Sequence, residues 1–373
     1  MKIVNFIGTL KKEDGVAQVI IALEREAKKQ NIETLVITGW AEDASIAPSP
    51  VIEIPSVVFP LYKEYKLPLP GMHGFEEKLN AFKPDVIHVH SPDTSAWAAV
   101  HYAEKYKIPI VATHHTDFIR DLAYYHIDFL RPVVWMLLKE LYNRMGAVTT
   151  PSTVTTGELE AHGIKNLETI PWGVDFGRFD PAFRSQEWRK KVLAGKPDDT
   201  PILICVSRMT WEKDLRVLAA AYDLLRAKRS DFAMVVAGDG PARKELQEMM
   251  TDATFLGYIG EKELSEAYAS ADIFLFPSDR ETFGNVTIEA MASGIVPVVA
   301  NAGGSKTIVK DGENGFLATP KSPEDFAAKV TMLLDDKVLY EKIKFAALAD
   351  AKNYSWSRVF ERVLAIYHRL MKV

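Results

Sequence analysis

Two carboxylates, Glu281 and Glu289, lie in the segment Phe274-Leu275-Phe276-Pro277-Ser278-Asp279-Arg280-Glu281-Thr282-Phe283-Gly284-Asn285-Val286-Thr287-Ile288-Glu289-Ala290-Met291-Ala292. The apolar run reads as a buried strand that ends at Pro277, and Gly284-Asn285 opens a helix. The first N–H groups of such a helix have no partner inside it and carry the positive end of its dipole. Glu281 falls in the loop and Glu289 about one turn into the helix, so the two can accept hydrogen bonds from different hydroxyls of one ligand, as a sugar and a ribose require. Capping by Glu281 and a solvated Glu289 is the plain alternative, and the combined pattern is too specific for it. Earlier in the chain, Arg208 ends the apolar run 202–207 and Lys213 follows before the next helix. Two cations on one loop after a strand suit an anion, in particular a diphosphate, although a solvated Arg and Lys would look the same in isolation. A weaker signal of the same kind is Gly15, which opens a helix after the first strand and either holds a phosphate or eases the helix start.

These residues need strands that end beside one another, and the patterning supplies them. Short β-branched runs near 2–7, 34–38, 51–54, 86–90, 110–114, 147–150 and 167–170 alternate with helical spacing in the first half. Runs near 202–207, 233–238, 254–256, 273–277, 296–300 and 315–318 do the same in the second. That alternation predicts α/β architecture with parallel sheets, two doubly wound units in succession. Ligands of such sheets bind beyond the carboxyl ends of strands, so a cleft between the two domains is expected to hold the chemistry. The stretch 171–200, punctuated by Pro171, Gly173, Gly177, Pro181, Gly195 and Pro197, reads as a linker. Domains are expected at 1–175 and 176–355. A closing amphipathic helix at 356–373, with Val359, Val363, Ile366, Tyr367 and Leu370 on one face, is expected to cross back and pack toward the first domain. Short helices at 305–309 and 323–334 are also expected.

Composition bounds the function. Of 373 residues, 47% are hydrophobic, enough for two cores, and 45 Lys+Arg against 50 Asp+Glu leave a net charge of −5 with no basic field for nucleic acid. A single cysteine, Cys205, fits a reducing compartment, and no apolar run approaches the ~20 residues of a membrane span. The chain therefore reads as cytoplasmic. Gly238-Asp239-Gly240-Pro241 lacks the third glycine of a dinucleotide fingerprint because Arg243 stands there, so a dehydrogenase is the weakest reading.

With these residues in view, the sequence resembles the retaining glycosyltransferases of GT-B fold in family 4, the glycogen synthase and sucrose synthase type. The most specific match is Glu281-x7-Glu289 within its Pro-Ser … Gly-Asn frame. Supporting matches are Pro171-Trp172-Gly173-Val174-Asp175 … Phe179, Gly238-Asp239-Gly240-Pro241, Phe255-Leu256-Gly257, Gly303-Gly304, and Asp311-Gly312 … Asn314-Gly315. Thr113-His114-His115-Thr116-Asp117-Phe118 resembles the lipid-linked mannosyltransferase and sulfoquinovosyltransferase branch. The resemblance implies that Arg208 and Lys213 bind the donor diphosphate, that Glu281 contacts the donor sugar and Glu289 the ribose, and that amides around Phe283, Gly284 and Asn285 hold sugar and phosphates. It further implies that Gly15 approaches the diphosphate and that His115 lies beside the sugar. His114 replaces a usual aromatic residue and reads as a packed ring. Asp14 stands where a first glycine is common, Ser207 precedes the arginine in place of glycine, and Ser305-Lys306 replaces Pro-Glu, so no carboxylate is assigned there.

The expected reaction is transfer of a hexose from a nucleotide-diphosphate sugar, GDP-mannose or a UDP-hexose, to a lipid or glycan hydroxyl. No Asp-x-Asp occurs in the chain, so no metal and no further cofactor is expected, and Arg208, Lys213 and the helix N-terminus would stabilise the leaving group. The resemblance implies retention by same-face attack without a covalent intermediate. The base would be read by backbone near 255–259. The acceptor side falls in 118–138, with Tyr124, Tyr125, His126, Phe129, Arg131, Trp135 and Met136. Peripheral contact with a membrane stays open there, against a near balance of Arg120, Arg131, Lys139 and Arg144 with Asp121, Asp128 and Glu140, and 133–138 reads as a buried helix. A GT-B epimerase or phosphorylase and a non-catalytic nucleotide-sugar binding protein are the alternatives. Closure on the donor, hinged near 171–175 and 354–356, is the accompanying expectation.

Overall fold

The computed structural model describes residues 1–12, 14–58, 66–69, 75–115, 119 and 127–372. Its contacts divide the chain into two units, Met1–Gly173 with Trp356–Val373, and Val174–Ser355. The sequence reading breaks the chain two residues later and, like this division, sets the last helix with the first domain.

The first unit is built on a parallel sheet of seven strands. They are β1 (Lys2–Leu10), β2 (Glu33–Ala41), β3 (Val51–Glu53), β6 (Val86–Val89), β7 (Ile110–Thr113), β8 (Ala147–Thr150) and β9 (Leu167–Thr169), in the order β3-β2-β1-β6-β7-β8-β9. β1 is buried almost throughout, as a parallel strand covered on both faces must be. The order reverses between β1 and β6, so the ends of these two strands flank the crevice where doubly wound sheets take ligands. A small antiparallel pair, β4 (Ser56–Val58) with β5 (Lys66–Pro68), was not legible in the sequence, because three-residue strands are too short to show a period.

Helix Trp356–Met371 closes this unit. Val359, Phe360, Val363, Leu364, Ile366 and Tyr367 are buried in one cluster with Ile3, Val19, Val86 and Val111. Its polar anchor has one sense only. Thr149 Oγ1 donates to the Ala112 carbonyl, so it accepts from Thr113 Oγ1, which in turn accepts from His88 Nε2–H at 2.7 Å. His88 Nδ1 is then the acceptor for the Tyr367 hydroxyl at 2.6 Å.

The second unit carries β10 (Ile202–Val206), β11 (Ala233–Ala237), β12 (Thr254–Gly257), β13 (Ile273–Phe276), β14 (Val296–Ala300) and β15 (Phe316–Ala318), all parallel in the order β12-β11-β10-β13-β14-β15. This is the doubly wound order with its reversal between β10 and β13. Strand positions agree with the sequence reading within a few residues at each end.

Four expectations need correction. The presumed linker 171–200 holds helix Gln186–Leu193, whose Trp188, Arg189, Val192 and Leu193 are buried. Its punctuated, charged composition misleads because Arg189 is an internal fastener, donating to the carbonyls of Ser270 (2.6 Å), Asp198 and Thr200 and to Asp272 (3.0 Å). Residues 305–309 form only a 3-10 turn, Ser305–Thr307, and a full helix, Lys337–Ala351, lies where none was assigned. Finally, 133–138 is not a buried stretch. In helix Arg131–Asn143 the inward residues are Leu138, Leu141 and Tyr142, and Val133, Met136 and Leu137 are exposed beside Phe129, which is 77% exposed.

Burial pushes the ring of His88 down to about 3 and that of His114 to about 4. Both are neutral in the fold and charged in the unfolded chain below about pH 6.5, so their contribution is complete above that pH. It is lost as the pH falls toward 4, by about 1.4 kcal/mol per pH unit for each ring. A melting series from pH 7.5 to 4.5 is expected to show a steadily falling Tm, made shallower by His88→Gln; a Tm constant over that range contradicts this account.

Candidate donor site on the second sheet

The loops after β10 and β13 flank the strand-order reversal, and both carry the residues singled out from sequence. Lys213 sits in the 3-10 turn Trp211–Lys213, and its Nζ lies 2.7 Å from Glu281 Oε1. The two side chains are 15% and 16% exposed, so the pair is largely withdrawn from water. Ser278 Oγ donates to the same oxygen at 3.0 Å. One oxygen of Glu281 thus receives both donors, and an ammonium has three N–H bonds to give. The pair can therefore hold a ligand hydroxyl on the carboxylate and a phosphate oxygen on the lysine together.

Arg208 is not brought to this pair. Its guanidinium is 75% exposed and bonds Glu212 at 3.3 Å, one turn along the same loop. An exposed pair of this kind holds weakly. The arginine can leave it at little cost.

Glu289 lies on helix Asn285–Ala292 and is partly buried. Tyr268, fully buried, donates to Oε2 at 3.2 Å. Burial pushes this carboxyl up to about 7, against the pull of the Tyr268 hydrogen bond and the Arg178 charge. Sequence reasoning missed Tyr268, Arg178 and Ser278. The only available signal was a tyrosine in a helix whose neighbours Ser265, Ala267, Ala269 and Ser270 are all inward, since a buried phenol needs a partner.

Gly284 precedes that helix with φ +98°, and no side chain caps the N-terminus. Phe283 is buried, Asn285 is exposed, and their amides frame the start of the helix. Backbone contacts hold this frame. A Cβ on Gly304 would lie 2.3 Å from Phe283 Cα, and one on Gly303 would lie 2.8 Å from the Glu281 carbonyl oxygen. Gly304 N–H donates to that same carbonyl at 2.6 Å. The turn after β11 braces the Arg208 loop in the same way. A Cβ on Gly238 would lie 1.8 Å from the Ser207 carbonyl oxygen, one on Gly240 2.5 Å from that of Met209, and Met209 N–H donates to Asp239 O. Gly238-Asp239-Gly240 is thus a brace. Asn314 likewise builds a turn, accepting from Lys310 N–H and donating to Asp350.

In the first unit, Gly15 begins helix Gly15–Lys29 and its absent Cβ would meet nothing within 4 Å. Its φ is not in the left-handed region either, so the fold itself does not ask for glycine here. Asp14 caps the helix, accepting from Val16 N–H at 2.8 Å, so one of the amides that a phosphate would use already faces a carboxylate. His114 lies 3.2 Å from the Tyr142 hydroxyl, as a packed ring. His115 is buried at the end of β7, stacked on Trp172 with ring centroids 5.6 Å apart. Glu13, Thr116, Asp117, Phe118, Arg120, Asp121, Tyr124, Tyr125 and His126 lie outside the described residues.

Comparison with known proteins adds three findings. The family model described as Glycosyltransferase Family 4 matches residues 14–178, and that described as Glycosyl transferases group 1 matches residues 186–349. The chain is 31% identical over 363 residues to a GDP-mannose-dependent alpha-mannosyltransferase of Corynebacterium glutamicum, covering 95% of this chain and 85% of that protein. It is 35% identical over 305 residues to the sulfoquinovosyl transferase SQD2 of Arabidopsis thaliana, which takes in 80% of this chain but only 59% of that protein's length. Among solved structures, a glycosyltransferase from Rickettsia africae shares the fold with a TM-score of 0.78 at 21% identity, over 100% of this chain and 98% of that one.

Gly304→Ala forces a Cβ into the Phe283 backbone and is expected to destabilise the protein by about 1–3 kcal/mol. Gly157→Ala, in helix Thr153–Ala161 with open space at the Cβ, is the control and is expected to be neutral or stabilising. Equal Tm values for the two variants in thermal melts contradict the brace.

Proposed function

This chain belongs to the family 4 glycosyltransferases of GT-B fold, and on that premise we propose that it transfers a hexose, with retention of configuration, from a nucleotide-diphosphate sugar to a lipid or glycan hydroxyl. GDP-mannose is the first donor to test, since the similar Corynebacterium glutamicum protein is named for it, and a UDP-hexose is the second. The observation that carries the reading is the Lys213–Glu281 pair at 2.7 Å, set at the strand-order reversal of the second sheet beside an N-terminus without a side-chain cap.

In this reading Glu281 accepts a hydroxyl of the donor sugar and Lys213 shares its ammonium with a diphosphate oxygen. Arg208 exchanges Glu212 for the diphosphate, a stronger, charge-assisted partner. The amides at Phe283, Gly284 and Asn285 add the helix dipole. As the bond from the anomeric carbon to the phosphate oxygen breaks, charge grows on the diphosphate, where these donors already point. The acceptor oxygen forms its bond on the same face, and its proton passes to the departing phosphate oxygen. Glu289 takes the ribose hydroxyls; a carboxyl pushed up to about 7 by burial gains most from such donors, which favour its ionised form. In the first unit, His115 is assigned to the sugar and Gly15 to the diphosphate, the latter beside the Asp14 cap. Protein cations take the place of a metal clamp.

The lipid acceptor is supported by the apolar patch Phe129, Val133, Met136 and Leu137, flanked by Arg131. No helix among the described residues is long and apolar enough to cross a membrane. Such a patch suits peripheral contact instead.

Arg208→Ala with Lys213→Ala is expected to lower kcat/KM by at least about 10²-fold, and transfer by the unaltered enzyme is expected to survive EDTA. Near-normal turnover by the double variant removes the assigned role. Co-sedimentation with phosphatidylglycerol vesicles is expected to weaken in Phe129→Asp with Met136→Asp; equal sedimentation of variant and parent contradicts the membrane contact.

A further inference from the structure

Four histidines gather at β6 and β7 of the first unit. His88 is spent on Tyr367 and Thr113, and His114 faces Tyr142. The other two contact each other, His90 Nδ1 lying 2.9 Å from His115 Nε2. Behind them His90 Nε2 is 3.3 Å from Asn5 Oδ1, and Asn5 Nδ2 donates to Glu24 Oε1 at 3.0 Å. The line runs from helix Gly15–Lys29 through β1 and the end of β6 to the end of β7, and its four side chains are 1% to 5% exposed.

Its proton order follows from its far end. The Asn5 amide donates to Glu24 Oε1, a carboxyl that burial pushes up from its ordinary range. Asn5 must then turn its N–H toward Glu24 and its oxygen toward His90. A neutral His90 facing that oxygen carries its proton on Nε2 and leaves Nδ1 a lone pair. That lone pair requires the proton of His115 on Nε2. What remains is His115 Nδ1, a buried acceptor with no partner among the described residues. Such an atom needs a donor from elsewhere.

We propose that Glu24, Asn5 and His90 are positioning residues that lock His115 in the Nε2–H tautomer, so that Nδ1 accepts a hydrogen bond from one hydroxyl of the bound sugar. The proposal rests on the assignment of His115 to the sugar made above. It adds a specificity: an acceptor-only nitrogen takes a hydroxyl and rejects a fluorine at the same carbon, because neither partner then has a proton to give. Trp172, stacked on the imidazole, fixes the plane in which that hydroxyl must arrive.

Glu24→Gln is the informative variant, since glutamine keeps the shape but can donate to Asn5 and so reverse the whole line. In protein labelled with 15N histidine, ring shifts are expected to place the protons of His90 and His115 on Nε2 in the parent. In Glu24→Gln, His115 is expected to become a mixture. This measurement needs no substrate. With GDP-mannose and diacylglycerol in mixed micelles, Glu24→Gln is expected to lower kcat/KM about tenfold and to narrow the preference for GDP-mannose over its deoxyfluoro analogues. A proton on His115 Nδ1 in the parent overturns the proposal. So does Glu24→Gln with parental tautomers, turnover and analogue preference; if His115→Ala is inactive in that case, the relay alone has failed. Normal transfer by His115→Ala overturns the proposal together with the placement of the sugar.

Discussion

A loop beyond the end of a strand has no ladder to hold it, and in the second unit that problem is solved by backbone lying directly on backbone. Gly303 and Gly304 let one turn press on residues 279–283, and Gly238 and Gly240 let another press on 207–209. A single methyl group at any of the four would occupy space already taken by a neighbouring main chain. Everything placed on these loops inherits its position from such contacts: the Lys213–Glu281 pair, the exposed Arg208, and the amides ahead of Asn285. Main-chain contacts have few alternative rotamers, so they fix donors and acceptors more tightly than side-chain packing would.

The two units use their helix N-termini differently. Before Asn285–Ala292 stands Gly284, with no side chain to satisfy the first amides, whereas before Gly15–Lys29 stands Asp14, whose carboxylate takes Val16 N–H. Like charges compete for one electropositive point. The second unit therefore leaves that helix start without a competing carboxylate, and the first carries a buried polar line instead, with burial holding its imidazoles uncharged.

Much of this was legible in the sequence. Parallel strands announce themselves as unbroken apolar runs, and Glu281, Gly284 and Glu289 stand out because no structural need explains all three at that spacing. What escaped has a common cause, which is polar groups working inside the fold. Arg189 sat in a stretch that composition reads as linker, yet four bonds to the surrounding chain bury it. Tyr268 looked like one more helix aromatic until its hydroxyl met Glu289. Asn5 and Glu24 fall on an apolar strand and an amphipathic helix where each reads as an interruption, and only the third dimension brings them to His90. The apolar stretch 133–138 erred the other way, since hydrophobicity without a clear period does not say which side faces water.

The second unit opens and closes its own chain at one place, where Val174 and Ser355 pair as a β-bridge. Just outside it, Gly173 lies against Trp356 so closely that a Cβ there would meet the indole at 2.5 Å. The first unit is thus written in two pieces with a complete domain between them. During synthesis its early strands must wait, with the Tyr367 place beside His88 unfilled, until the whole of the second unit has been made. The domain that begins first is the domain that finishes last, and any exchange of the second unit between relatives has a natural cassette with adjoining ends.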